Sequence, residues 1–227
     1  MPRSVFYLYL IPLAISVLVG LRAYRAGWPR PYKQFALFLL ATLCTEILAI
    51  SWKLWLYNIG PWHFSKMNVW VYDLYYIPEY LFFFWFYFRA LEPNAKQQLA
   101  IKIMAVIFTV GALINLLFIQ GISKLDTFTI VGGNLGILLC TLAYFRQELR
   151  RSQPMIASRD PLFWISVGAF IFNSATLPYF VFINYLSRTN IRLAIALFNI
   201  ILLLNIAMYI FYLIAFLCSK PRLLKLS

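Results

Sequence analysis

Residues 191–218 read IRLAIALFNIILLLNIAMYIFYLIAFLC, with a single charged side chain, Arg192, at the start. The hydrocarbon core of a bilayer is ~30 Å thick and takes about 20 mostly apolar helical residues to cross. This stretch is long enough. A strand of a transmembrane barrel would be ~10 residues long with alternating polarity. The run Ile200-Ile201-Leu202-Leu203-Leu204 does not alternate, so the segment is read as a transmembrane helix.

Six further stretches satisfy the same test, at about 5–22, 33–58, 67–90, 99–119, 125–146 and 161–186. The links carry helix-breaking residues: Gly27, Pro29 and Pro31, then Gly60-Pro61, Pro93-Asn94, Gly121, Pro154 with Asp160-Pro161, and Ser187 to Asn190. Composition agrees. The 227 residues are 63% hydrophobic and 19% aromatic but only 12% charged, against about 25% charged in a soluble domain. Such a chain has too few polar side chains to cover a water-facing surface. A soluble enzyme, a disordered chain and a secreted disulfide scaffold are thereby excluded. The expectation is an all-α polytopic integral membrane protein, one domain over 1–227 with seven transmembrane helices.

The net charge of +13 would suggest nucleic acid in a soluble protein. Here its distribution gives orientation instead, because Lys and Arg concentrate on cytoplasmic flanks. Fourteen basic residues fall on one side: Arg22, Arg25, Arg30, Lys33, Arg89, Lys96, Lys102, Arg146, Arg150, Arg151, Arg159, Lys220, Arg222 and Lys225. The other side has six, namely Arg3, Lys53, Lys66, Lys124, Arg188 and Arg192. The N-terminus is therefore expected outside and the C-terminus in the cytoplasm of a cell membrane, a bacterial inner membrane. The first segment is read as a span and not a cleaved signal, since Arg22 and Arg25 follow its apolar run where a signal carries charge in front. Partners follow from the same reading: the lipid bilayer, a cytoplasmic signalling partner or anionic lipid at the basic face, and no nucleic acid.

No cofactor or metal is expected. The single histidine, His63, excludes a multi-histidine metal centre and a HExxH site, and reads as an interfacial residue. No P-loop, GxGxxG or GxSxG string occurs. The last span has no lysine for a retinal Schiff base. Cys44 and Cys140 fall within spans as small apolar residues, and Cys218 sits at the boundary.

The chemistry that remains is intramembrane polarity. Of the seven acids, three are placed within helices: Glu46, Asp73 and Glu79, with Lys53 beside them. A charge at the bilayer centre costs ~2.5–3.5 kcal/mol on insertion scales, so each needs a reason. The second and third helices form an antiparallel hairpin, in which residues of equal depth have a constant index sum. Lys53 thus lies level with Asp73, and Glu46 with Glu79 nearer the midplane. Lys53–Asp73 is read as a structural ion pair. Glu46 and Glu79, with Tyr72 and Tyr76, have two readings: a structural one, with a Glu protonated or bonded to Tyr hydroxyls, and one in which they line a ligand site, where nearby carboxyls in low dielectric cannot both ionise cheaply. One of the Lys53–Asp73 and Glu46–Glu79 pairings is expected to be direct and the other mediated by water, Tyr or ligand. Pro78 frees the carbonyl of Leu74 and allows a kink. Asn173 in the sixth span supplies a second wall, with Asn199 and Asn205 in the seventh. Asn115, Asn134 and Asn184 serve as interhelical glue, and Gly132, Gly133 and Gly136 allow close helix approach.

Two family resemblances attach to these residues. Trp70-Val71-Tyr72-Asp73-Leu74-Tyr75-Tyr76-Ile77-Pro78-Glu79-Tyr80, continuing into Leu81 and three Phe, resembles the third helix of an uncharacterised family of bacterial seven-span proteins. The opening Pro161-Leu162-Phe163-Trp164 and the segment from Phe198 through Asn205 to Lys220 are similar too. That resemblance implies a seven-helix fold and an association with sensory signalling. Glu79-Tyr80-Leu81-Phe82-Phe83, after Gly60-Pro61-Trp62-His63-Phe64, also resembles the membrane lycopene cyclase domain, although Pro78 stands where that motif has its first Glu. It implies an isoprenoid- or carotenoid-modifying enzyme with Glu79 as proton donor and Glu46 as partner. The leading expectation is a non-enzymatic, receptor-like module binding a small apolar or amphipathic ligand among the second, third, sixth and seventh helices. The enzyme and a small transporter are the alternatives.

Overall fold

The computed structural model describes residues 7–56, 68–91, 94–121, 125–150 and 159–218. Outside that set lie His63, the stretch 60–64, and the basic residues Arg3, Lys66, Lys124, Arg151, Lys220, Arg222 and Lys225. Each of the seven apolar stretches is a helix, and the described residues contain no strand. The helices are α1 (Leu10–Arg25), α2 (Arg30–Leu54), α3 (Val69–Ala90), α4 (Ala95–Ile114), α5 (Thr127–Leu149), α6 (Pro161–Thr189) and α7 (Ile191–Leu217). A π-turn over Asn115–Ile119, absent from the sequence reading, extends α4.

Local chemistry sets the ends. α1 stops at Gly27, whose φ of 65° is open to glycine at no steric cost, and the Trp28 amide then donates back to the Ala23 carbonyl. Pro31 occupies the first turn of α2, where a missing N–H does no harm. Asn94, Asp126, Asp160 and Asn190 cap α4, α5, α6 and α7, each accepting from backbone amides of the first turn. Asn190 alone separates α6 from α7, so those two pack as a tight antiparallel pair.

The helices close a ring in the order α1, α2, α3, α5, α6, α7 and back to α1, with α4 lying outside against α3 and α5. The ring is filled by aromatic side chains. Phe35 is fully buried and meets Phe86 and Tyr212 with ring centroids 5.1 Å apart in both cases, the offset and edge geometries that the ring quadrupole favours. Phe38 and Phe82 stack 4.3 Å apart and close the α2–α3 seam. Two glycines decide how closely α3 meets α5. A β-carbon at Gly133 would fall 2.4 Å from the Tyr80 ring, and one at Gly136 would fall 2.5 Å from Phe84. Gly132, expected to share that role, has room for a β-carbon, which would meet only Phe108 at an ordinary 3.9 Å.

The outer surface is apolar. Leu18, Leu99, Val106, Ile107, Leu117, Phe118, Leu139 and Leu203 are all more than half exposed, and a contiguous apolar exterior marks contact with lipid or protein. Among the described residues, five segments are long and apolar enough to cross a membrane: α2, α4 with its π-turn, α5, α6 and α7. α1 has 16 helical residues, and α3 carries Asp73, Glu79 and many Tyr along its 22. The chain is an all-helical membrane protein.

Candidate functional site

α3 presents two chemically different faces, and their separation organises the polar interior. One face turns to α1 and α2. There the Tyr72 hydroxyl donates to Glu46 Oε2 at 2.8 Å, and the Tyr9 hydroxyl, from the turn before α1, donates to the same oxygen at 2.7 Å. Tyr75 and Thr42 share a hydroxyl–hydroxyl bond of 2.5 Å across the same seam. Tyr209 of α7 closes this pocket from the ring interior at 4% exposure, its backbone carbonyl accepting from Ser16 at 2.9 Å. Glu46 is thus a satisfied carboxyl held by α1 and α3.

Glu79 lies on the same side of α3, nearly two turns further along, in a different setting. It is half-buried in a groove of about 400 Å³ between α2 and α3. Phe38, Tyr75, Phe82 and Trp85 line the groove with Gln34 at one end, while Leu37, Ala41 and Pro78 form an exposed rim. Among the described residues nothing hydrogen-bonds the Glu79 carboxyl. Pro78, one residue before it, removes the amide that would have bonded the Leu74 carbonyl. An acidic group therefore sits near the middle of α3, one residue after Pro78, beside a slot that opens on the outer face. The groove can receive a molecule with a donor or cationic head and an apolar body.

The other face of α3 turns to α5 and α6. Tyr80 donates to Asn134 Oδ1 at 2.7 Å, and Asn134 Nδ2 donates to Thr176 Oγ1 at 3.3 Å, so three helices share one buried chain of bonds. Asp73 is fully buried on this face and accepts from the Asp126 backbone amide at 3.1 Å.

The sequence-expected residues sort accordingly. Tyr72 bonds Glu46 and not Glu79, and Tyr76 lies between Tyr72 and Tyr80. Glu46 and Glu79 share the α2–α3 seam without a hydrogen bond between them. Lys53 and Asp73 are not brought together: Lys53 is exposed in the last turn of α2, while Asp73 points to α5. Index sums fix depth in a hairpin, but azimuth decides contact, and Asp73 lies on the face away from α2. Asn173 does not form a wall of the Glu pocket, because it is buried and its Nδ2 donates to its own helix at the Ala169 carbonyl, 2.7 Å away. Asn199 and Asn205 are half-buried on α7, and neither bonds to the glutamates. Sequence reasoning missed Tyr9 altogether, and it missed Asp126, which occupies a helix-capping position before Thr127 and Thr129.

A larger apolar groove of about 830 Å³ runs between α4 and α5, with room for a β-carbon at Gly111 and Gly132 along it. It holds no charged side chain. The α2–α3 groove with Glu79 is therefore the candidate site. Compared with known proteins, the chain matches no family model, no curated protein and no solved structure, so the functional reading rests on this geometry.

Proposed function

We propose that this chain is a receptor-like or sensory membrane module that binds a small amphipathic ligand in the groove between α2 and α3. The ligand's donor or cationic head meets Glu79, and its apolar body lies along Phe38, Phe82 and Trp85. The observation that carries this reading is a carboxyl placed mid-helix in an apolar, outward-opening groove without a hydrogen-bond partner. An unpaired polar group in such surroundings costs ~1–3 kcal/mol by mutational measures, and intramembrane acids are functional by default. A bound head group supplies the missing partner. Glu46, by contrast, is held by two tyrosines, and its part is to fix α1 and α3 beside the groove.

The test is a photoreactive long-chain primary amine added to membranes containing the protein. Cross-links are expected to map to α2 and α3 around Phe38, Phe82 and Trp85, and Glu79→Gln is expected to reduce them at least about tenfold, the equivalent of 1.4 kcal/mol. Labelling spread over all lipid-facing helices and unchanged in Glu79→Gln would end the reading.

In this proposal all seven helices cross the membrane, with the N-terminus outside and the C-terminus and basic face in the cytoplasm. Support comes from the alternation of helix direction and the excess of Lys and Arg at the α1–α2, α3–α4 and α5–α6 links. In a cysteine-free background, Asn190→Cys is expected to react with an impermeant maleimide on intact cells. Asn94→Cys is expected to react only after permeabilisation. The reverse pattern would invert the topology.

A further inference from the structure

A second polar cluster lies at the opposite end of the bundle from the basic links, and the Glu79 reading does not use it. It joins α3, the π-turn after α4, the cap of α5 and α6. The Asp126 backbone amide donates to Asp73 Oδ1 at 3.1 Å, which sets the two carboxyls side by side. Asp126 Oδ1 accepts from the Thr129 amide at 3.2 Å and from Asn115 Nδ2. Asn115 Nδ2 also meets Gln120 Oε1 at 2.9 Å and Thr129 Oγ1 at 3.5 Å. Thr127 Oγ1 accepts from Gln120 Nε2 at 2.9 Å and from Asn184 Nδ2 at 3.4 Å, and the Phe128 amide donates to Gln120 Oε1 at 3.3 Å.

The amide donors of this cluster are directed to one set of oxygens and leave another set bare. Asp73 Oδ2, Asp126 Oδ2 and Asn115 Oδ1 are buried and accept no hydrogen bond, on residues that are 0%, 0% and 3% exposed. No described Lys or Arg pairs with either carboxyl. A cation brought beside such buried, bare carboxyl oxygens would offset the cost of their burial. The π-turn brings that Asn side chain there, since i→i+5 bonding sets Asn115 beside Gln120 and against the α5 cap. Such turns concentrate at functional positions. The oxygen-only donor set, two carboxyls with an amide carbonyl and two threonine hydroxyls nearby, suits a hard cation and offers no soft ligand for a transition metal.

We infer that the Asp73–Asn115–Asp126 cluster binds a hard, oxygen-seeking cation, Ca²⁺ or Na⁺, and thereby ties α3 and the α4 π-turn to the start of α5. The experiment is thermal unfolding of the full chain in detergent, starting from a choline chloride buffer free of both ions and adding each in turn. Wild type is expected to gain roughly 5 °C or more in Tm at a hundred times the dissociation constant of the effective ion. Which ion acts identifies the occupant. Asp73→Asn and Asp126→Asn, which keep acceptor oxygens and the helix cap, are each expected to lose that gain. Should Asp73→Asn fail to fold, Asp126→Asn carries the test. No gain with either ion in wild type, or a gain retained in the variants, overturns the site.

Discussion

Gly133→Ala is expected to lower the stability of the folded bundle by ~1–3 kcal/mol, the usual range for overpacking, and Gly133→Leu is expected to yield no folded protein. The new β-carbon would lie 2.4 Å from three atoms of the Tyr80 ring. That ring has nowhere to go. Its hydroxyl is held by Asn134 at 2.7 Å, its edge rests against Phe108 with centroids 5.4 Å apart, and the residue is 5% exposed. The remaining response is for α3 and α5 to separate, which also breaks the Asn134–Thr176 link to α6. At about 2–4 °C per kcal/mol for a chain of this size, thermal unfolding in detergent should fall by roughly 3–10 °C for the alanine variant. The neighbouring glycines provide the control. Gly132→Ala and Gly111→Ala have room for the new β-carbon and should be neutral or stabilising by up to about 1 kcal/mol, since alanine is the better helix former. Equal effects at Gly132 and Gly133 would contradict the α3–α5 packing.

The second large effect concerns the Glu46 cap. Tyr9 and Tyr72 donate to the same oxygen of Glu46, so either alone leaves it partly satisfied. Tyr9→Phe and Tyr72→Phe together strand it, and the double variant is expected to lose ~1–3 kcal/mol, the cost of one orphaned acceptor. In a Glu46→Leu background the same two substitutions should cost less than ~0.5 kcal/mol, because they then remove hydroxyls that have lost their acceptor. The coupling energy separates this arrangement from simple loss of aromatic packing, which would cost the same in both backgrounds. Additive effects would show that the tyrosines do not serve Glu46.

Much of this was open to reading in the chain itself, and the remainder was hidden for identifiable reasons. Helix ends followed from Gly27, Asn94, Asp160 and Asn190, whose chemistry is local and independent of packing. That Glu46 and Glu79 are acids set among apolar neighbours, which is costly without a reason, was legible too. Partner identity did not follow. Tyr9 reaches Glu46 only because α1 packs on α2, a contact thirty-seven positions apart that no periodicity encodes. Lys53 and Asp73 illustrate the converse: equal depth suggested a pair, but rotation about the α3 axis turns the aspartate to α5. Asp126 drew no notice in the sequence because a capping aspartate usually faces water, whereas here it is completely buried. The glycine pattern was read correctly as close approach, yet which glycine meets α3 depended on a face that spacing alone leaves open.

In the proposed site Glu79, and not Glu46, is the carboxyl accessible from the lipid side of this bundle. Treating membranes with a lipid-soluble carbodiimide, which attacks carboxyl groups from the hydrocarbon phase, measures this directly when the adduct is located by peptide mass. One dominant adduct is expected, on Glu79, absent from Glu79→Gln and suppressed by a competing long-chain amine. An adduct on Glu46, or modification of Glu79 only by a water-soluble carbodiimide, would contradict it.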